Sequence, residues 1–171
     1  MYNIGLTYDA HPKDAMDIYK NIIAENAAKD GSATVLRGTG WDPGYFMQDP
    51  KTMPTAADID EVCSDTPVIL RSYDHHYVWV NSRVLRDSGI TKDTPTPRNG
   101  VIWRDDNGEP TGIFQENTAI DLILSSVPYG DYTVEEYEAG IMHYQKNFGT
   151  AYGTTLIMDA MATENAITAY R

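Results

Sequence analysis

The side chains best suited to chemistry in this sequence follow predicted strands. Glu116 comes directly after a strand-like run at residues 111–115, and Asp159 ends a second run that begins at Thr154. A carboxylate in such a position can bind a metal ion or act as a general base. It can instead cap the next helix, which after Glu116 would begin near Thr118. The residues alone leave both interpretations open.

A third polar stretch follows the apolar run at residues 67–70. It runs from Arg71 to Ser82 and contains Asp74, His76 and Trp79. Active sites of α/β proteins are built at the carboxyl ends of strands, so these residues are candidates for a site. A solvated loop would have the same composition, and that alternative also stays open.

The sequence contains no complete metal-binding or nucleophile motif. None of its four histidines (His11, His75, His76 and His143) forms a His-x-His or His-Glu-x-x-His spacing. His75 and His76 are adjacent, and on a strand they would point to opposite faces. A mononuclear site needs three or four convergent ligands, which these residues do not supply. Cys63 is expected to pack in the core.

Composition excludes several classes of function. The 171 residues carry 13 basic and 25 acidic side chains, a formal charge of −12, which argues against a nucleic-acid partner. No apolar run approaches the roughly 20 residues of a membrane span, and the first residues do not resemble a signal peptide. The single cysteine rules out an internal disulfide framework and favours a reducing, cytoplasmic setting.

Helix and strand signals alternate along the chain and predict an α/β fold with an inserted β-hairpin. The hairpin would turn at Asn107-Gly108, and Gly38-Thr-Gly40 is expected to form a turn. The predicted helices occupy residues 12–29 (opened by Asp9 or His11 with Pro12), 55–63 (opened by Thr55 with Asp58), 81–88 (capped by Asn81), 119–127, 133–148 (opened by a capping box of Thr133 and Glu136) and from 163. The predicted strands occupy residues 33–37, 67–71, 77–80, 101–104, 111–115 and 154–159.

Taken together, these motifs resemble amidohydrolase family 3, metal-dependent hydrolases that include N-substituted formamide deformylase-like enzymes. Five segments carry the likeness, and the third and fourth are the most specific. They are Arg37-Gly-Thr-Gly-Trp41-Asp42; Pro54-Thr55-Ala-Ala-Asp58-Ile-Asp60; Pro67-Val-Ile-Leu-Arg71 with Asp74-x-His76-x-x-Trp79-Val-Asn81-Ser82; Gly108-Glu-Pro-Thr-Gly112-x-x-x-Glu116; and Gly153-Thr-Thr-Leu-Ile-Met-Asp159-Ala160. The sequence departs from the family at His75, usually a small residue, and at Met158, often a histidine.

The resemblance implies a partial (β/α)8 barrel. Residues 1–171 would be a single fragment of the barrel domain of a longer parent, with an insertion at roughly residues 38–115. The parent would use a divalent metal ion, with zinc expected, to hydrolyse a C–N bond of a small amide-type or formamide-like substrate. The family's His-x-His ligands are not in this sequence, so the fragment is expected to hold no metal, to be inactive and to self-associate. The alternative is a self-contained binding domain without catalysis.

The resemblance also suggests roles for four residues. Glu116 would be catalytic and a metal ligand. Asp74 and His76 would bind substrate, and Trp79 would form a wall of the substrate pocket.

Overall fold

The computed structural model of the chain divides into two compact units, residues 1–129 and 130–171. The residues that the structure describes are 3–6, 14–29, 34–47, 53–127, 132–160 and 162–171. The predicted opening of the first helix at Asp9, His11 and Pro12 lies outside them. Among the described residues, no helix combines the length and apolarity that a membrane crossing requires.

The first unit is built on one six-stranded mixed sheet, which confirms the α/β class. The strands lie in the order β1-β2-β3-β4-β6-β5. β1, β2 and β3 are mutually parallel, and the remaining neighbours pair antiparallel. The strands are β1 (Asn3–Gly5), β2 (Leu36–Trp41), β3 (Val68–Ser72), β4 (Tyr77–Val80), β5 (Val101–Arg104) and β6 (Pro110–Gln115).

Helices connect these strands and cover the sheet. In the first and the fourth of them, buried apolar side chains recur at helical spacing. A 3₁₀ turn, Pro43–Tyr45, follows β2. The helices of this unit are α1 (Ala15–Lys29), α2 (Ala56–Asp60), α3 (Ser82–Asp87) and α4 (Asn117–Leu124).

Two hydrophobic clusters form the core. Successive side chains of a strand point to opposite faces of the sheet, so neighbouring strand residues belong to different clusters. In β4, Tyr77 and Trp79 belong to the cluster that contains Tyr19 and Ile23 of α1. Val78 and Val80 belong to the cluster that contains residues of α3 and α4, including Ile120. All four side chains of β4 are buried, so this strand is central to the unit.

Asn81 connects β3, the segment after α2 and the start of α3. Its Oδ1 accepts from the backbone N–H groups of Val68 and Val84, both at 3.2 Å. The bond from Val84 forms the predicted cap of α3. Its Nδ2 donates to the carbonyls of Cys63 (2.9 Å) and Thr66 (2.8 Å). A side-chain amide has two donors and two acceptor sites, so this buried residue has all its hydrogen-bonding groups satisfied.

Several local expectations are confirmed. Thr55 with Asp58 and Thr133 with Glu136 form capping boxes at the starts of their helices. The hairpin of β5 and β6 forms as predicted. Cys63 is free and buried, as its packing role requires.

The expected turn at Gly38-Thr-Gly40 is wrong, because these residues lie inside β2. Backbone pairing with β1 and β3 on both sides of β2 overrides the turn preference of the two glycines. Gly40 has a positive φ of 105°, and a Cβ there would lie 2.5 Å from the carbonyl oxygen of Leu6. The glycine therefore serves a close approach between strands rather than a turn.

The second unit contains α5 (Val134–Tyr144), a π-helical turn (Gln145–Gly149) and α6 (Glu164–Ala169). The predicted strand at residues 154–159 does not form, and its side chains are exposed. Leu156 and Met158 are 87% and 86% exposed. The described residues of the second unit contain no other strand, and a strand needs a partner for its backbone groups.

Replacement of Asn81 by alanine should lower the free energy of unfolding of the first unit by about 3 kcal/mol or more, because four buried backbone groups lose their partner. The measurement is denaturant unfolding of the 171-residue chain. Asn26→Ala is the matched control, since Asn26 donates only to the Ile22 carbonyl within α1. A loss for Asn81→Ala no larger than the control's would contradict this role.

Candidate functional site

The strand directions bring three of the predicted site residues, Asp74, His76 and Glu116, to one edge of the sheet. β6 is antiparallel to β4, which is antiparallel to β3, so β1, β2, β3 and β6 all run the same way. Their carboxyl ends therefore lie at a common edge. Arg71 and Ser72 end β3 there, and Glu116 directly follows β6.

His76 and Glu116 are in direct contact at this edge. His76 Nδ1 lies 3.1 Å from Oε1 and 3.2 Å from Oε2 of Glu116. The Glu116 backbone N–H also donates to the His76 carbonyl at 2.9 Å, which extends the pairing of β4 with β6. The side chains are 59% and 43% exposed, so both are accessible from solution. We call these two residues the His76–Glu116 pair.

The side chain of Glu116 does not cap α4, which was its alternative predicted role. Glu116 occupies the N-cap position of α4, but it makes no side-chain hydrogen bond to the helix. Its carboxylate contacts His76 instead. The helix begins at Asn117 without a side-chain cap, which leaves the Glu116 carboxylate available for chemistry.

The backbone at the pair is strained. Glu116 has φ 65° and ψ 151°, a region that is essentially restricted to glycine. His75, next to His76, has φ 65°. Such conformations cost about 1–3 kcal/mol and persist only where the surrounding structure enforces them. Their clustering at one pair of side chains is typical of a functional site.

Asp74 organises the turn that carries His76. Its Oδ1 accepts from the Ser72 hydroxyl at 2.5 Å and from the His76 backbone N–H at 3.1 Å. Ser72 Oγ in turn accepts from the Tyr77 N–H at 2.9 Å, which joins the turn to β4. The described contacts of Asp74 are therefore within its own turn, and its expected contact with substrate stays a prediction.

Trp79 lies in the core, apart from the other three predicted residues. Its side chain is fully buried, its Nε1 donates to the Thr55 carbonyl at 2.7 Å, and its ring packs edge-on against Trp41. It points to the opposite face of β4 from Val78, into the cluster that α1 covers. In this structure Trp79 is fully buried and supports β4, and its expected place in the wall of a substrate pocket stays a prediction.

Three further residues at the site have no role predicted from the sequence, although Arg71 and Tyr77 lie in the polar stretch that the sequence indicates. Arg71 donates from Nη2 to Asn117 Oδ1 at 3.3 Å, which links the end of β3 to the residue after Glu116. Burial raises the pKa of the Tyr77 phenol, and the nearby carboxylates of Asp74 and Glu116 raise it further. Tyr77 therefore remains a neutral donor at neutral pH. For Arg71, the sequence signal is that a buried strand ends in an arginine. Only the pairing of the strands reveals the positions of Tyr77 and Asn117.

The described residues do not provide a complete metal site. They contain no group of three or more His, Cys, Asp or Glu side chains placed to hold an ion. The His76–Glu116 pair could contribute at most two ligands, and a mononuclear site needs three or four.

The chain matches known proteins over almost its whole length. Residues 2–170 match the model of a family described as the amidohydrolase family. The chain is 34% identical over 162 residues to N-substituted formamide deformylase of Arthrobacter pascens, covering 94% of this chain and 29% of the relative. It is 43% identical over 93 residues to YtcJ of Bacillus subtilis, which carries the name amidohydrolase, covering 54% of this chain and 17% of the relative.

A solved structure shares the fold. It is an uncharacterized metal-dependent hydrolase from Pyrococcus horikoshii, matched with a TM-score of 0.53 at 19% identity over 98% of this chain and 29% of that chain. The chain thus spans less than a third of the length of the relatives described here.

Glu116→Gly should be more stable than Glu116→Ala by about 1 kcal/mol. Glycine adopts the observed φ and ψ without strain, whereas alanine keeps the strain. Both variants lose the exposed contact with His76, which is worth at most about 1 kcal/mol, so their comparison isolates the backbone. Thermal or denaturant unfolding measures the difference. Greater stability of Glu116→Ala, which is the order expected at an unstrained position, would contradict the strain.

Proposed function

The chain belongs to the amidohydrolase family, and from that premise we propose that it is part of a metal-dependent hydrolase that cleaves a C–N bond of a small amide- or formamide-like substrate. The observation that supports this most strongly is the His76–Glu116 pair at the carboxyl-end edge of the sheet. The match to the hydrolase family favours this function over a binding domain without catalysis.

Glu116 is the proton carrier in this proposal. Its carboxylate takes a proton from water, the resulting hydroxide attacks the amide carbon, and the C–N bond breaks as the leaving nitrogen receives a proton. The products are a carboxylic acid and an amine. His76 bonds through Nδ1 and so orients the carboxylate. Because Glu116 is anchored by the backbone bond to His76, its position is set by the sheet rather than by a loop.

We further propose that the whole protein uses a divalent metal ion, with zinc expected and Glu116 as one ligand. The remaining ligands must come from outside the described residues, since these form no cluster of three. The 171-residue chain should therefore show no hydrolase activity by itself when zinc is added.

We also propose how the strands of this chain fit the architecture of a larger barrel domain. The parallel pair β1 and β2, with α1 between them, is consistent with the start of a (β/α)8 barrel. The antiparallel strands β4, β5 and β6 belong to the insertion that we propose at roughly residues 38–115 of a single barrel domain, and β3 and the end of β2 lie within the same range. A free, buried Cys63 fits the proposed cytoplasmic location.

Self-association of the isolated chain is a prediction of this view. β1 and β5 are the outer strands of the described sheet, and Leu156 and Met158 are almost fully exposed. Light scattering at about 0.1 mM, where exposed apolar surface drives association, should report oligomers. Leu156→Lys with Met158→Lys should reduce them, whereas the control pair Thr154→Lys with Thr155→Lys, which adds equal charge, should not. A clean wild-type monomer would contradict the prediction.

Replacement of Glu116 by glutamine in the longer protein that contains this chain should lower turnover at least about 100-fold, because a neutral amide cannot accept the proton. Turnover and bound metal are measured on the same preparation. Glu109→Gln, in the hairpin turn between β5 and β6, is the matched control and should leave both unchanged.

The two readouts separate the roles of Glu116. Loss of metal with loss of turnover identifies a ligand, and loss of turnover with retained metal identifies a proton carrier. If both remain at the wild-type level, Glu116 has neither role and the proposed site is wrong.

A further inference from the structure

The segment at residues 91–100, which leads into β5, is held to the hairpin by Arg104. This arginine ends β5, and its Nη1 donates to the carbonyls of Gly108 at 2.9 Å and Thr91 at 3.2 Å. Its Nη2 donates to the Thr94 carbonyl at 2.6 Å. A guanidinium group is planar, so bonds to three carbonyls fix its orientation as well as its position. One side chain therefore connects the start of this segment to the turn of the hairpin.

The end of the 91–100 segment lies against the first turn of α4. A Cβ added to Gly100 would lie 2.5 Å from Thr118 Oγ1 and 2.8 Å from the Ala119 nitrogen. Contacting carbon atoms lie about 3.5–4.0 Å apart, so no side chain fits between this backbone and the helix. Gly100 does not have the positive φ that often selects glycine. Glycine is therefore required at this position for space, because the segment contacts the helix through its backbone.

The helix turn that Gly100 contacts is bonded to Glu116. The Ala119 N–H donates to the Glu116 carbonyl at 3.0 Å. Val101, which follows Gly100, pairs with Gln115, which precedes Glu116. The backbone is thus restrained on both sides of Glu116, whose φ of 65° and ψ of 151° persist only where the surrounding structure enforces them.

We propose that Gly100 and Arg104 are positioning residues for Glu116. Arg104 holds the 91–100 segment in place, and Gly100 lets that segment contact the first turn of α4. Glu116 then keeps its strained backbone and presents its carboxylate to His76. The inference rests on the proposed function, in which this carboxylate carries the proton. A catalytic group must be held within about half an ångström of its working position, and this support supplies that restraint.

The first test measures whether Gly100 and Arg104 maintain the strain at Glu116. Denaturant unfolding of the 171-residue chain gives the difference in midpoint between Glu116→Gly and Glu116→Ala, which we call the strain difference. Addition of Gly100→Ala or Arg104→Gln should reduce the strain difference by at least about half, because a displaced helix turn lets residue 116 leave the strained region. The matched controls should leave it unchanged. They are Gly5→Ala, where a Cβ meets no atom within 4 Å, and Arg83→Gln, which removes another arginine bonded to a backbone carbonyl.

The second test measures the contact between Glu116 and His76 without turnover. In the otherwise wild-type chain, Glu116→Gln should shift the NMR signals of the His76 ring, because the carboxylate lies 3.1 Å from Nδ1. This response should fall at least about twofold in Gly100→Ala and in Arg104→Gln, and it should stay unchanged in the two controls. A change that only lowered stability would not alter the response of a chain that remains folded. Arg104→Gln adds no bulk, so both tests are read from it if Gly100→Ala does not fold.

The third test uses the longer protein that contains this chain. Gly100→Ala and Arg104→Gln should lower kcat at least about tenfold and change KM less than about twofold, because they displace the proton carrier and not a group that binds substrate. The two controls should change neither constant.

An unchanged strain difference, or an unchanged His76 response, in both variants would overturn the inference. Wild-type kcat in both variants alongside the expected loss in Glu116→Gln would also overturn it, since Glu116 would then act without this support. Failure of the proposed function gives a different result. Glu116→Gln would then retain wild-type turnover, while both tests on the 171-residue chain would still show that Gly100 and Arg104 hold Glu116 in place.

Discussion

The structure of the first unit depends on the insertion of β4 between β3 and β6. This strand pairs antiparallel with both neighbours and buries all four of its side chains. Its residues alternate between the two hydrophobic clusters, so a shift of the register by one residue would exchange the sides of Trp79 and Val78. The same pairing fixes the bond from Glu116 N–H to the His76 carbonyl. The strand that holds the core together therefore also sets the geometry of the candidate site.

Around this strand, polar interactions are used where the chain must change direction. The Asn81 amide satisfies four backbone groups where β4 meets α3. In the tight turn between β3 and β4, the Ser72 hydroxyl accepts from the Tyr77 N–H and donates to the Asp74 carboxylate. Gly112, where a Cβ would lie 2.7 Å from the Val80 carbonyl oxygen, lets β6 approach closely enough to pair. Buried backbone groups must be satisfied, and these residues meet that requirement at the ends of strands.

The candidate site differs from the hydrophobic core beneath it in solvent exposure and in backbone strain. The core beneath it is fully buried, whereas the His76–Glu116 pair is open to solvent and its backbone is held in unfavourable conformations. Strain of this kind is stable only on a rigid base. Among the described residues of the second unit, α5 buries no residue and the apolar segment at residues 154–159 is exposed.

The sequence by itself determined the features that depend on neighbouring residues. Both capping boxes, the Asn81 cap, the hairpin turn at Asn107-Gly108 and the family motifs could be recognised because each is a short pattern with its own physical cause. Tertiary structure alone decided the features that depend on distant partners. Pairing with β1 and β3 placed Gly38–Gly40 inside a strand. The described residues of the second unit contain no other strand, and residues 154–159 do not form the predicted strand. Sequence could nominate His76 and Glu116 separately, but only the sheet register places a histidine beside a carboxylate 40 residues away, because that contact is set by backbone pairing and not by local preference.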